Sequence, residues 1–294
     1  MTLLLQNAID AISVGSLYAL FALGIALIFG IMRLINFAHG ELIMVGSFAL
    51  YLGRNLPWPV LIAIAIAACV VIALLMERIA FRPARGADAT TLLITSFAVS
   101  FFLQNLAIMI FGSLPRTANI STRLSESFSA GALTIPWLDI VTIGVTAFLV
   151  VALGAFLGRT SVGLQMRAAA EDFRMARALG VRANVVIATA FAISGVLAGT
   201  ASALLMIQTG TVTPTIGSSP VLIAFIATVL GGMGSLRGAV LGGLLLGVLT
   251  VALQSYLPLE LRYYRDAFAY GAVILMLIAR PQGLVVARTL VTRV

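Results

Sequence analysis

Residues 159–182 read RTSVGLQMRAAAEDFRMARALGVR, a charged interruption in a chain that is otherwise apolar enough to lie in lipid. Strong helix formers fill its middle, and Gly163 and Gly180 bracket them as helix breaks. The stretch therefore predicts one short surface helix between two membrane spans. Because Glu171 and Asp172 stand among arginines, we expect this helix to lie in water or against another protein. A solvated connecting loop is the alternative interpretation of the same charges.

The composition outside this stretch indicates a membrane protein. Hydrophobic residues make up 61% of the 294 residues and charged residues 10%, whereas a soluble domain carries roughly 25% charged residues. A spanning helix needs about 20 apolar residues, so we predict an all-α polytopic membrane protein with about nine spans, eight to ten being the range. Residues 1–294 then form a single transmembrane domain. The predicted spans lie near residues 8–32, 38–53, 57–76, 91–112, 137–158, 184–207, 217–235, 238–257 and 264–280.

The residue inventory excludes several kinds of chemistry. All 18 basic residues are Arg, and a chain without Lys has no Walker A phosphate-binding loop and no Schiff-base lysine. A single Cys excludes an internal disulfide, and a single His leaves no histidine cluster for a metal site. We therefore expect no metal, no cofactor and no catalytic residues in this chain.

Polar residues inside apolar segments mark candidate functional positions, because polar groups at membrane depth normally face a bundle interior or a cavity. The segment NFAHGE at residues 36–41 supplies Asn36, His39 and Glu41. They could line a path for a solute; alternatively, Asn36 caps the next helix and Glu41 complements its N-terminal dipole.

Two further sets of residues add candidates for the path. Ser96, Ser100 and Gln104 recur every four residues, so they share one face of a helix, where they could line a path or bond a neighbouring helix. Thr213 and Thr215 lie in a Thr- and Pro-rich segment that suits a loop facing protein or water.

The segment VLGGMGSLRGAVLGGLLLG at residues 229–247 is rich in glycine at four-residue spacing, which lets helix backbones approach closely. The alternative is that these glycines are merely compatible with lipid. The predicted packing glycines are Gly234, Gly238, Gly242, Gly243 and Gly247.

Several segments resemble the branched-chain amino acid permeases of ABC importers, the Liv-type family. The most specific are AEDFRMARALGV at residues 170–181, NFAHGE and the glycine block. The resemblance implies that residues 160–182 form a cytoplasmic coupling helix that docks on a separate ATPase subunit. The implied coupling residues are Arg167, Glu171, Asp172, Arg174, Arg177 and Gly180.

The resemblance also implies the partners. These are a second permease subunit, related or identical, two cytoplasmic ATPases that hold ATP and Mg²⁺, and a periplasmic substrate-binding protein, with no nucleic acid. One departure concerns the substrate: the family commonly has Lys-Ala-Phe before the glycine block, whereas here Ile223 precedes Ala224 and Phe225.

The arginines predict the orientation. With nine spans, thirteen arginines fall in loops on the side of residues 159–182 and five on the other side, so the positive-inside rule makes the first side cytoplasmic. We therefore expect the bacterial inner membrane, a periplasmic N-terminus and a cytoplasmic C-terminus.

The function that these observations favour is the permease subunit of an ATP-driven importer of branched-chain or related hydrophobic amino acids. An importer of urea, short amides or another small solute has the same general features. A self-sufficient secondary transporter with Asp10, His39 or Glu41 as proton-relay groups is an alternative from another class. A membrane enzyme lacks any clustered acid, base or nucleophile in the sequence.

Overall fold

The computed structural model describes residues 2–117, 127–130 and 133–285, and most of them are helical. Helices dominate because a chain in lipid has to satisfy its backbone groups within the segment itself. The helices are α1 (Thr2–Met32), α2 (His39–Leu52), α3 (Trp58–Met76), α4 (Ala89–Phe111), α5 (Trp137–Arg159), α6 (Ser161–Glu171), α7 (Phe173–Ala178), α8 (Ala183–Thr209), α9 (Ser218–Gly231), α10 (Leu236–Tyr256) and α11 (Arg265–Ala279). A π-helical turn, Glu77–Phe81, continues α3, and a 3₁₀ turn, Leu259–Tyr264, precedes α11.

Short antiparallel strand pairs join some of the helix ends. Strand β1 (Arg116–Thr117) pairs with β4 (Thr211–Val212), with Arg116 opposite Val212. Strand β2 (Ser127–Ala130) pairs with β3 (Leu133–Pro136) in a hairpin before α5. Residues 118–126 and 131–132, between α4 and α5, lie outside the described residues, as do the C-terminal Arg288 and Arg293.

Six described helical segments are long and apolar enough to cross a membrane, which confirms an all-α polytopic membrane protein. They are Leu4–Met32, Trp58–Phe81, Ala89–Phe111, Trp137–Arg159, Ala183–Thr209 and Leu236–Tyr256. Each of the three other predicted spans also falls on a helix, α2, α9 or α11. These helices have 14, 14 and 15 residues, fewer than the roughly 20 of a straight span, so the count of nine stays a prediction.

The same pattern of helix contacts occurs in α1 to α4 and in α8 to α11. Helix α1 packs along α10, and in the corresponding arrangement α8 packs along α3. Each half has one short apolar helix: α2 packs against α3 and α8, and α9 packs against α10 and α1. Transporters built from such repeats place their binding sites where the short helices meet. The N-termini of α2 and α9 do meet, at the backbones of Gly40 and Gly217.

Glycines of α10 allow close contact with the neighbouring helices. A Cβ atom added at Gly243 would lie 2.5 Å from Cα of Ala19, and one added at Gly247 would overlap the backbone of Gly15. On the other side of α10, a Cβ atom at Gly242 would lie 2.8 Å from the nitrogen of Gly231, and one at Gly238 would also overlap Gly231. These four glycines lie where α10 contacts α1 and α9.

Gly234 has a different role from the predicted one. It lies in the turn before α10 with φ of +87°, and a Cβ atom added there would meet nothing within 4 Å. A left-handed backbone conformation, rather than helix packing, therefore explains glycine at this position.

Candidate functional site

A buried polar junction joins α2, α4 and α9. The side chain of Glu41 is enclosed, and its Oε1 accepts hydrogen bonds from Ser100 Oγ at 2.7 Å and from Gln104 Nε2 at 2.9 Å. The same Gln104 nitrogen lies 3.1 Å from Ser218 Oγ, to which it donates. One carboxylate oxygen thus connects α2 to α4, and Gln104 extends the connection to the first residue of α9.

His39 is buried two residues before Glu41 and extends this junction to two further helices. Its Nδ1 lies 3.0 Å from Ser194 Oγ of α8, and its ring packs on Gly24 of α1 so closely that a Cβ atom there would overlap the imidazole. Nε2 has no hydrogen-bond partner among the described residues. The contacts of His39 therefore join three helices.

Asn36 shapes the turn that leads into α2. Its Oδ1 accepts a hydrogen bond from the backbone nitrogen of Ala38 at 3.1 Å, and its backbone oxygen accepts one from His39 at 3.2 Å. Arg33, just before it, takes a left-handed conformation with φ of 55°. The amide nitrogen of Asn36 is buried without a partner in the described part of the chain.

The predicted polar face of α4 points into the protein. Ser100 and Gln104 bond Glu41, while Ser96 is buried one turn earlier and donates to the backbone oxygen of Leu93 at 2.8 Å. Ser96 Oγ also lies 3.3 Å from the backbone oxygen of Ile35, next to Asn36. Ser96 therefore contacts the segment that joins α1 to α2, while Ser100 and Gln104 contact α2 itself.

Thr213 and Thr215 lie apart from that group. They occupy the loop before α9, half-buried and exposed respectively, and their hydroxyl oxygens are 3.5 Å apart. Two residues missing from the predicted set, Ser194 and Ser218, do belong to the junction. Ser218 was visible as part of a Ser- and Thr-rich loop, whereas Ser194 is a lone serine in an apolar span and gave no signal.

Three buried polar atoms of the junction have no hydrogen-bond partner among the described residues: Asn36 Nδ2, His39 Nε2 and Glu41 Oε2. A buried polar atom left unpaired costs about 1–3 kcal/mol. The hydrogen bonds of Glu41 Oε1 can stabilise the contacts between helices. Glu41 Oε2 remains available to accept a hydrogen bond from a further donor.

Residues 159–182 form two helices rather than the single predicted one. The break is Asp172, whose extended backbone ends α6 and whose Oδ1 accepts hydrogen bonds from the backbone nitrogens of Arg174 and Met175. Asp is a favoured residue at such a position because its side chain satisfies free N–H groups at a helix start. Gly163, predicted as a break, lies inside α6, where a Cβ atom would overlap the end of α5.

Gly180 ends the second helix. It has φ of +90°, and the next residue, Val181, donates to the backbone oxygen of Ala176 at 3.1 Å. A left-handed glycine after a helix is the usual way to reverse the chain. Gly180 thus directs the chain from α7 back towards α8.

The outer surface of α6 and α7 carries both charged and apolar side chains. Met166, Ala169 and Ala176 point inwards and are nearly fully buried. The predicted coupling residues Arg167, Glu171, Asp172, Arg174 and Arg177 are all exposed. Between them, Leu164, Met175 and Leu179 are 59%, 59% and 80% exposed. The sequence prediction missed these apolar residues, which with the charged ones make a surface suited to a protein partner.

Arg85 of the α3–α4 loop connects the end of α3 to the start of α8. Arg85 pairs with Glu77 of the π-helical turn and donates to Asn184 at the start of α8. Burial lowers the pKa of Arg85 from its ordinary value, and the neighbouring Glu77 carboxylate opposes this change. At the start of α4, the Thr91 hydroxyl donates to Asp88 and lowers the pKa of that carboxyl.

Known proteins are similar to this chain over nearly its whole length. A family model described as "Branched-chain amino acid transport system / permease component" matches residues 7–278. The high-affinity branched-chain amino acid transport system permease protein BraD of Pseudomonas aeruginosa is 37% identical, over 95% of this chain and 95% of BraD. The permease protein LivH of the corresponding high-affinity system in Escherichia coli strain K12 is 36% identical, over 95% of this chain and 94% of LivH.

Proposed function

The chain belongs to the permease-component family of branched-chain amino acid transport systems, and on that basis we propose that it forms the path for branched-chain or related hydrophobic amino acids in an ATP-driven importer. The substrates named for BraD and LivH support this choice of substrate class. The observation that carries the proposal is the exposed surface of α6 and α7, because a transport subunit without its own nucleotide site needs a docking surface for the subunit that hydrolyses ATP.

The chain itself is not the ATPase. ATP and Mg²⁺ bind to two separate cytoplasmic ATPase subunits, one of which docks on α6 and α7 of this chain. Leu179 and Met175 enter an apolar depression of the ATPase, while Arg174, Arg177 and Glu171 contact its polar rim. Closure of the ATPases moves α6 and α7 together and shifts the helices between inward and outward access.

The chain lies in the bacterial inner membrane and crosses it about nine times. With α2, α9 and α11 counted as crossings, the N-terminus is periplasmic, and α6, α7 and the C-terminus are cytoplasmic. The arginine distribution supports this orientation. A periplasmic binding protein delivers the substrate, and a second permease subunit, identical or related, completes the transporter.

The proposed path passes near the junction of α2, α4 and α9. Glu41 is its most polar member, and Asn36, His39, Ser96, Ser100 and Gln104 surround or support it, with Thr213 and Thr215 in the adjoining loop. Ile223, where relatives in the family commonly have Lys, is partly buried in α9 and adds no charge. An apolar residue there suits a hydrophobic amino acid.

Transport by the purified complex tests this proposal. The chain is co-expressed with its neighbouring permease, ATPase and binding-protein genes, reconstituted in liposomes, and assayed with radiolabelled leucine or urea. We expect leucine uptake that requires ATP and the binding protein. Uptake of urea but not leucine would make the chain an importer of another solute, and uptake driven by a proton gradient without ATPases would make it a secondary transporter.

A further inference from the structure

Helix α4 has a second face with polar residues, opposite the face that bonds Glu41. This face, here named the α4 seam, consists of Thr91, Thr95, Ala98, Phe102 and Asn105. The residues follow one another at alternating steps of four and three, the spacing of a seam between two packed helices. All five are exposed or half-exposed. The seam therefore has the pattern of a helix contact, and none of the described helices of this chain packs against it.

A groove runs along the seam. Four seam residues, together with Ile94 and Val99, line a space of about 420 Å³ on the surface of α4. Thr95 and Ala98 are small, while Phe102 at one end is 65% exposed and stands out from the helix. Small residues beside a projecting one produce a slot that fits the side chains of a neighbouring helix.

Two polar residues of the seam, Thr95 and Asn105, lie too deep for the lipid headgroup region. Thr95 and Asn105 are each five residues from Ser100, the middle of α4. For a span centred in the membrane, a rise of about 1.5 Å per residue places them roughly 7.5 Å from the centre of a hydrocarbon core that is about 30 Å thick. Side chains at that depth normally face protein or a water-filled cavity.

Asn105 needs a partner from outside the described chain. Its amide nitrogen donates to the backbone oxygen of Phe101 at 2.7 Å, and this is the one hydrogen bond that the side chain makes with described residues. Its second N–H and its carbonyl oxygen are free. Thr95 differs, because its hydroxyl donates to the backbone oxygen of Thr91 at 2.8 Å and needs nothing further. Asn105 thus distinguishes a protein contact from lipid, since an amide in hydrocarbon without partners costs several kcal/mol.

Other exposed helix faces have the composition expected of lipid contact. The outer face of α3 is entirely apolar: Val60, Ala63, Ile64, Ala67, Val71 and Leu75. On α5, Thr142 and Thr146 point inwards and are buried. Polar residues that point outwards in the middle of a span therefore set α4 apart from these helices.

We propose that the α4 seam is the surface on which the second permease subunit packs, with a hydroxyl- or amide-bearing membrane helix of that subunit completing the hydrogen bonds of Asn105. Small residues and interhelical hydrogen bonds are what hold helices together in lipid, where apolar burial gives little. The inference rests on the proposed function, which requires a second permease subunit.

The test uses the complete transporter in its native membrane. A benzophenone amino acid replaces Ala98 in the seam or, as the matched control, Ala67 on the apolar face of α3. Both are exposed alanines near the middle of a spanning helix. After irradiation, the adducts are identified by mass spectrometry of their peptides.

We expect the probe at position 98 to link to a membrane helix of a permease chain, and the probe at position 67 to give no permease adduct. Adding Asn105→Leu to the position-98 variant should lower the adduct yield roughly threefold, the effect of one interhelical hydrogen bond. Lipid adducts alone at position 98, or equal permease yields at both positions, would overturn the inference. ATP-driven leucine uptake is measured in the same membranes. Intact uptake without any permease adduct at position 98 would refute the seam and leave the proposed function standing.

Discussion

Asp172 Oδ1 lies 3.0 Å from the backbone nitrogen of Met175, and this hydrogen bond helps fix the corner between α6 and α7. The same oxygen accepts a second hydrogen bond from Arg174. The Asp172 side chain therefore fixes the start of α7 relative to the end of α6. In the proposed coupling to an ATPase, we expect the rigidity of this corner to matter more than the charge of the carboxylate.

Replacing Asp172 with Ala should uncouple ATP hydrolysis from transport. The change removes a helix cap worth about 1 kcal/mol, which is large for a helix of six residues. We expect leucine uptake to fall several-fold while the complex still assembles and hydrolyses ATP. Asp172→Asn retains the capping oxygen without the charge, so it should keep most of the uptake. Equal losses in both variants would instead assign Asp172 to an ionic contact with the ATPase.

Leu179, the residue that follows α7, is 80% exposed, and its replacement should weaken ATPase binding without affecting the fold. Burying such a side chain in an interface contributes about 1.5–3 kcal/mol, so Leu179→Ser should lower the affinity for the ATPase at least roughly tenfold. The measurement is the amount of ATPase that co-purifies with the chain. Leu259→Ser is the matched control, because Leu259 is 75% exposed in the 3₁₀ turn. If both variants retain the ATPase equally, α7 is not the docking surface.

The sequence predicted the helical fold and the surface position of residues 159–182, because hydropathy and charge are local properties. It did not predict the break at Asp172, since a capping carboxylate and a mid-helix carboxylate look alike in a sequence. Thr95 and Asn105 were overlooked because the sequence does not show which face of α4 points away from the rest of the chain. The four-residue spacing of Ser96, Ser100 and Gln104 indicated that they share one helix face, but only the packing of the helices reveals that this face points inwards to Glu41. The pairing of α1 with α10 and of α3 with α8 depends on contacts between distant segments, which local patterns do not specify.

The bond between Glu41 and Gln104 predicts coupled effects on stability. Glu41→Leu removes the acceptor shared by Ser100 and Gln104, so that the half-buried amide of Gln104 keeps only its bond to Ser218, and we expect a cost of about 1–3 kcal/mol. Gln104→Leu alone removes one of the donors to Glu41 and should also destabilise the protein. The double variant replaces both groups with apolar ones, while Ser100 can turn to a backbone oxygen of its own helix. The double variant should therefore unfold at a higher temperature in detergent than Glu41→Leu; purely additive losses would mean that the two residues act independently.

Glycine has two different roles in and beside α10: some glycines allow close helix contact, and others adopt a left-handed backbone conformation. Substitution by Ala should distinguish the two roles. Gly243→Ala places a Cβ atom 2.5 Å from Cα of Ala19, so the helices have to move apart, and we expect a clear fall in the unfolding temperature. Gly234→Ala meets no neighbouring atom, and its cost, about 1 kcal/mol, comes from the left-handed backbone alone. Gly144→Ala, on the exposed face of α5 with open space around it, is the neutral control. A Gly243→Ala variant as stable as this control would contradict the close contact.

The ion pair between Arg85 and Glu77 predicts a defect that a second substitution repairs. Arg85→Met leaves the Glu77 carboxylate, whose side chain is 6% exposed, without its positive partner, and we expect a loss of about 2 kcal/mol. Adding Glu77→Gln removes the unpaired charge and should restore most of the unfolding temperature.

Both variants lose the bond from Arg85 to Asn184, which connects the α3–α4 loop to the start of α8. If this bond transmits motion from α7, the double variant should be stable yet take up leucine several-fold more slowly than the unaltered chain, with ATP hydrolysis unchanged. Full uptake in the stable double variant would limit the role of the ion pair to folding.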